Sequence, residues 1–202
     1  MKTELCNLMD KFGSDKASYH NYTLFYYDLL KEKKYQEVKI FEVGLGTNNT
    51  SIPSNMGANG RPGASLRAWK EFFPNAKIYG ADIDKNILFH EERIKTFFCD
   101  QTDEVSIKKM WENDELKNES FDLIIDDGLH EINANINFLK NSFKKLKNDS
   151  AFIIEDIIAD KIDRYKEKIQ NLSKTMNFEF EIKNFDHTNK YDNCICFIKK
   201  LK

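Results

Sequence analysis

Phe121-Asp-Leu-Ile-Ile-Asp-Asp-Gly-Leu-His130 decides how this chain is read, together with its counterpart Ala151-Phe-Ile-Ile-Glu-Asp156 further on. Each is a short apolar strand signal that runs straight into paired acids. Between them, Ile132, Ile136, Leu139, Phe143 and Leu146 repeat at the three-to-four spacing of one buried helical stripe, which predicts a helix over Glu131 to Lys147. Strand, helix, strand in that order is a βαβ unit of a parallel sheet. Ligands of open α/β sheets bind beyond the carboxyl ends of the strands. Asp127, Glu155 and Asp156 are therefore expected near His130, as carboxylates for a hard metal with a base beside them.

Further strand signals lie at Val38 to Val43, Lys77 to Asp82 and Thr96 to Cys99. A helix is expected from Lys161 to Met176, followed by strand-like runs at Phe178 to Phe185 and Cys194 to Lys199 with no helix between them, which implies an antiparallel hairpin. Before the first strand, aromatic residues crowd at Tyr19, Tyr22, Phe25, Tyr26 and Tyr27. A helix docked on the domain and a lid over the site are both open for that segment. The stretch from Thr47 to Ala64 is rich in Asn, Gly and Pro and lacks periodicity, and loops of this length are functional or disordered.

With 202 residues and 41% apolar content the chain can bury one core, so a single domain over 1–202 is expected, with 1–37 as a helical lid or appendage and 38–202 as the core. The 31 basic and 33 acidic residues are spread along the chain, leaving no basic stripe for nucleic acid. Small-molecule partners are expected instead. Cys6, Cys99, Cys194 and Cys196 have neither zinc spacing nor a disulfide framework and read as reduced core thiols of a cytoplasmic protein. No apolar run approaches the roughly 20 residues that span a bilayer, and no membrane partner is expected.

Phe41-Glu-Val-Gly-Leu-Gly46 follows the first strand, where glycines let the backbone approach a ligand. Asn49 stands where a dinucleotide fingerprint needs its third glycine, which disfavours pyrophosphate. Ile78-Tyr-Gly-Ala-Asp82 ends in an acid suited to a ribose diol, and Phe97-Phe-Cys-Asp-Gln101 in one suited to the exocyclic amine of adenine. In this order the motifs resemble those of the class I S-adenosylmethionine-dependent methyltransferases. That resemblance implies an α/β, Rossmann-like fold: a mostly parallel seven-stranded sheet with an antiparallel C-terminal strand and helices on both faces. It also implies cofactor contacts from Glu42, Gly44, Gly46, Ser65, Asp82, Asp100, Gln101 and Asp126.

A narrower resemblance is to the magnesium-dependent O-methyltransferases of sugar hydroxyls in macrolide-type natural products. It is carried by Asp126-Asp-Gly-Leu-His130, Glu155-Asp156, Phe12-Gly-Ser-Asp-Lys16 and His20-Asn-Tyr-Thr23. By that likeness Asp127, Glu155 and Asp156 ligate Mg²⁺ and His130 is the general base. A metal can lower the pKa of a poorly nucleophilic hydroxyl while a histidine removes its proton. The expected activity is methyl transfer from S-adenosylmethionine to a sugar that is nucleotide-linked, part of a surface polysaccharide or attached to a natural product. The alternatives are methylation of a catechol-like diol and a non-catalytic cofactor-binding module. A nucleic-acid amino-group methylase would carry Asn/Asp-Pro-Pro-Tyr after the fourth strand, and this chain does not. The oligomeric state, a homo-oligomer included, is left open.

Overall fold

The structure, a computed structural model, describes residues 2–202. Among them, eight strands form one sheet in the order β3-β4-β2-β1-β5-β6-β8-β7. These are β1 (Lys39–Val43), β2 (Lys77–Asp82), β3 (His90–Glu91), β4 (Ile94–Phe98), β5 (Phe121–Asp126), β6 (Leu146–Ile154), β7 (Phe178–Asn184) and β8 (Cys194–Lys200). The central strands β4, β2, β1, β5 and β6 are parallel. β8 runs antiparallel between β6 and β7. The sheet has one strand more than the sequence suggested, the two-residue β3, which pairs antiparallel with the edge of β4. A strand of two residues carries no alternation to read.

The strands are buried on both faces and alternate between two cores. Phe41, Ile124 and Phe152 face α5 (Glu104–Trp111), α6 (Ile132–Ser142) and α7 (Ile162–Ser173), where Trp111, Phe138 and Ile169 meet them. Ile40, Ile78, Leu123 and Ile153 face α1 (Glu4–Phe12), α3 (Tyr22–Leu30) and α4 (Ala64–Phe72), through Leu5, Met9, Tyr26 and Trp69. The N-terminal helices are thus built into one of the two layers that cover the sheet. Thr3 caps α1 by accepting from the Cys6 amide, and Gly13, at φ +90°, ends the helix in the left-handed conformation that glycine adopts freely. Ser14 at once caps the short α2 (Asp15–Ser18), which delivers Lys16 beneath the strand ends.

The expected helix from Glu131 to Lys147 ends earlier, because Leu146 turns out of the helical stripe and opens β6. The register between β5 and β6 then slips, so that Phe121 pairs with Leu146 and Leu123 with Ala151, which absorbs the extra residues in a bulge. Beyond it Asp126 pairs with both Val43 and Ile154, so the carboxyl ends of β1, β5 and β6 lie level. Strand order reverses at β1, between β2 and β5, which is where such sheets open a crevice.

Candidate active site

Two cavities that share walls open at this crevice. The first, of about 220 Å³, is lined by Gly44, Gly46, Asp82, Asp100, Gln101 and Gly128 among others. The glycines are steric requirements here. A Cβ on Gly44, at φ +91°, would stand 1.9 Å from the Asp127 carbonyl oxygen, and one on Gly128 would stand 2.3 Å from Gln101 Oε1. Asp82 accepts from the Leu45 amide at 2.7 Å and from the Asp84 amide at 2.8 Å, one bond per oxygen, so the carboxylate is fixed and each oxygen keeps accepting capacity. Asp100 is anchored by Thr102 through its backbone amide and hydroxyl. Glycine walls and two oriented acids suit a nucleoside with a diol and an exocyclic amine.

Of the residues expected at the cofactor, Asp126 and Glu42 line neither cavity, and Gln101, which lines the first, also ties the loops together. Asp126 is wholly buried behind the cavity wall, where Gln101 Nε2 donates to it at 2.5 Å and burial pushes its carboxyl up to about 7. Gln101 accepts in turn from the Leu129 amide at 2.9 Å and so ties the end of β4 to the loop after β5. Glu42 is also fully enclosed, accepting from Ser65 Oγ at 2.5 Å and Trp69 Nε1 at 2.9 Å. Ser65 itself lines the second cavity.

That second cavity, of about 460 Å³, shares Gly44, Gly46, Ser54 and Asp127 with the first. On its wall Asp127, His130 and Asp156 each present a ligand atom within 4.8 Å of the others. His130 and Asp156 both hold left-handed backbones, at φ +57° and +54°. Such conformations cost energy in non-glycine residues and recur at functional sites, where surrounding structure enforces them. Here they turn two consecutive strand ends toward one point. Burial pushes the His130 imidazole below its ordinary value of 6.5, against the pull of Asp127. The ring is therefore neutral near pH 7 and able to accept a proton.

The N-terminal helices supply side chains that the sequence pointed to without assigning. Lys16, only 1% exposed, reaches Asp127 Oδ2 at 2.5 Å, makes a short contact with Glu155 Oε2, and lies 3.5 Å from Glu42 Oε1. Burial opposes its charge, but Asp127, Glu155 and Glu42 hold the ammonium well above its usual range. Burial works against the charge of Asp127, but Lys16, by its charge and its hydrogen bond, holds this carboxyl below the usual range. Tyr26 donates to Glu155 Oε1 at 2.6 Å and Tyr22 to Asp156 Oδ1 at 3.0 Å, so one face of α3 seats both acids after β6. Tyr22 and Tyr26 stand four apart on that helix, and Lys16 falls in the Gly-Ser-Asp-Lys stretch, which are the signals that could have found them.

The three expected metal carboxylates thus differ in their surroundings. Asp127 and Asp156 face the cavity. Glu155, 1% exposed, has both oxygens engaged by Lys16 and Tyr26 and reaches the same point only by releasing the ammonium. Four carboxylates, Glu42, Asp127, Glu155 and Asp156, surround this one lysine and two histidines. Burial, followed by the repulsion of Asp127, raises both Glu155 and Asp156 well above the carboxylate range. Oxygen donors in excess of local positive charge fit a hard divalent cation.

The Thr47–Ala64 loop roofs both cavities. Ile52 and Pro53 wall the first, and Asn55 and Met56 the second. Thr47 Oγ1 donates to Asp84 at 2.6 Å and Ser54 Oγ to the Leu129 carbonyl at 3.0 Å, which pins the roof to the loops after β2 and β5.

Lys16→Met is expected to destabilise the fold by roughly 3–5 kcal/mol, the usual result of stripping a buried pair of one partner. Urea unfolding in chelator would measure it. The deficit should narrow as pH falls, because Asp127 is held below its usual range by Lys16, and that stabilisation is lost on protonation. A variant as stable as the parent at pH 8 would show that the ammonium is dispensable.

No protein-family profile matches the chain. It is 30% identical over 161 residues to the mycinamicin VI 2''-O-methyltransferase of Micromonospora griseorubida, covering 77% of this chain and 36% of that protein. It is 28% identical over 153 residues to the 8-demethyl-8-alpha-L-rhamnosyl tetracenomycin-C 2'-O-methyltransferase of Streptomyces olivaceus, covering 76% and 37%. The chain therefore spans little more than a third of the length of these curated relatives. Among solved structures, the MycE methyltransferase of the mycinamycin biosynthetic pathway, in complex with Mg and SAH, superposes with a TM-score of 0.74 at 23% identity, over 100% of this chain and 56% of that one. A putative O-methyltransferase from Klebsiella pneumoniae gives 0.62 at 12% identity, over 100% and 92%.

Proposed function

We propose, for a chain that has the class I methyltransferase fold and is similar in sequence to sugar O-methyltransferases of glycosylated natural products, that it methylates a sugar hydroxyl with S-adenosylmethionine in the presence of a divalent cation. One observation carries this reading: Asp127, His130 and Asp156 converge on the cavity that adjoins the one lined by Asp82 and Asp100, with Asp127 common to both. An acceptor in the second cavity lies directly against whatever the first cavity presents.

S-adenosylmethionine supplies the reactive methyl group, and Mg²⁺ supplies Lewis acidity toward the hydroxyl. The protein does the rest. Asp82 and Asp100 orient the nucleoside in the first cavity. Asp127 and Asp156 would hold the cation, with Glu155 behind them steadying Asp127 through the shared Lys16. His130, neutral at the working pH, takes the hydroxyl proton into the shelter of the roof loop. The activities of the relatives, methylation of mycinamicin VI and of a rhamnosyl tetracenomycin, support a glycoside acceptor. No helix among the described residues is long and apolar enough to cross a membrane.

Incubation with methyl-labelled S-adenosylmethionine, Mg²⁺ and a panel of glycosides and catechols tests the proposal. Label should enter glycosides and stop on chelation. Transfer to catechols alone, or transfer that ignores chelator, would reject it.

A further inference from the structure

The acceptor cavity holds more negative charge than a dication and Lys16 balance. Besides Asp127 and Asp156, its wall carries Asp15, at the first turn of α2, and Asp192, from the loop between β7 and β8. Among the described residues Asp15 makes no ion pair and no side-chain hydrogen bond, while Asp192 receives one bond, from Asn189 Nδ2 at 2.6 Å. No lysine or arginine lines the cavity, and the ammonium beneath it, on Lys16, is already engaged by Asp127 and Glu155.

A dication offsets Asp127 and Asp156, and Lys16 offsets one of the two glutamates it meets. Asp15, Asp192 and the second glutamate are left over, and of these only the two aspartates face the cavity. Both share the wall of this cavity with His20 and His130. Tyr19, 59% exposed, completes this wall with an aromatic ring at the cavity mouth. Half-buried carboxylates without a cationic partner are costly to desolvate, and that cost is met when a ligand brings the missing charge. Two carboxylates and a tyrosine on the wall of one cavity suit an alkylammonium, whose three N–H donors match the acids and whose charge matches an aromatic ring.

Resting on the reading of this cavity as a sugar-acceptor site, we infer that the preferred acceptor is an amino sugar glycoside whose ammonium is read by Asp15, Asp192 and Tyr19. The same wall disfavours sugar phosphates, nucleotide sugars and uronic acids, since it offers an anion no partner.

The test compares methyl glucosaminide, methyl glucoside and methyl glucuronide, by ligand-observed NMR titration of the protein loaded with S-adenosylhomocysteine and Mg²⁺ and by label transfer from S-adenosylmethionine. The amine should bind and react about tenfold better than the neutral glycoside, the effect of two partly exposed ion pairs, and the uronate worst. The amine preference should shrink several-fold in Asp15→Asn and in Asp192→Asn, and in high salt. Equal binding of amine and neutral sugar, or a preference that survives both substitutions, overturns the inference. Transfer to neutral glycosides without amine preference defeats this inference and leaves the methyltransferase reading intact. Amine-selective binding without transfer keeps the ammonium recognition and defeats the methyltransferase reading, and neither binding nor transfer defeats both.

Discussion

His130→Gln is expected to lower turnover by roughly 10²–10⁴-fold while cofactor affinity stays near the parent value, the behaviour of a general base that acts chiefly in the transition state. The imidazole stands beside Asp127 and Asp156 at the second cavity, whereas the nucleoside contacts lie in the first. Burial holds it below 6.5, so its neutral form dominates at pH 7. The acid limb of kcat/KM in the parent should accordingly fall below pH 6.5, and a bound dication would push it lower still by repelling the imidazolium. In the variant that limb should vanish. Because position 130 has φ +57°, asparagine, which tolerates the left-handed region, is the better control for backbone strain. His130→Asn should lose turnover as fully as His130→Gln. Parent-like turnover with an unchanged acid limb in both variants would make His130 structural.

The second large effect is expected at Asp127. Asp127→Ala should remove most activity and weaken Mn²⁺ binding, followed by electron paramagnetic resonance, by at least about 100-fold, since loss of outer-sphere partners alone costs 10–100-fold. This carboxylate lies at the centre of the arrangement: it lines both cavities, accepts from Lys16 and lies beside His130. Glu155→Gln gives the informative contrast. With its oxygens engaged by Lys16 and Tyr26, Glu155 is expected to cost 10–100-fold in Mn²⁺ affinity, less than Asp127. An equal loss at the two positions would mean that Glu155 leaves Lys16 to join the cation. Activity of the parent protein surviving in excess chelator would remove the metal from the mechanism.

The parallel core was legible in the sequence because its strands announce themselves locally. Val38 to Val43, Lys77 to Asp82 and Phe121 to Asp126 are apolar runs bounded by polar turns, and parallel strands buried on both faces read that way. The acids at their ends were legible for the same reason, as breaks in an apolar run. The start of β6 was not, since Leu146 extends the helical period of α6 and only pairing with Phe121 makes it a strand.

What the sequence by itself determined is the parallel core of the sheet, the strand ends that open the cavities and the identity of the residues gathered there: Asp82, Asp100, Asp127, His130 and Asp156. What only the tertiary structure decided is how the charges are shared. Lys16 meets Asp127 and Glu155 across 111 and 139 residues, and Tyr22 and Tyr26 reach the acids after β6 from the opposite end of the chain. Strand ends are written by local hydrophobic pattern. The ionisation and availability of a buried carboxylate are set by the nearest opposite charge and by exclusion of water, and both come from packing between distant segments.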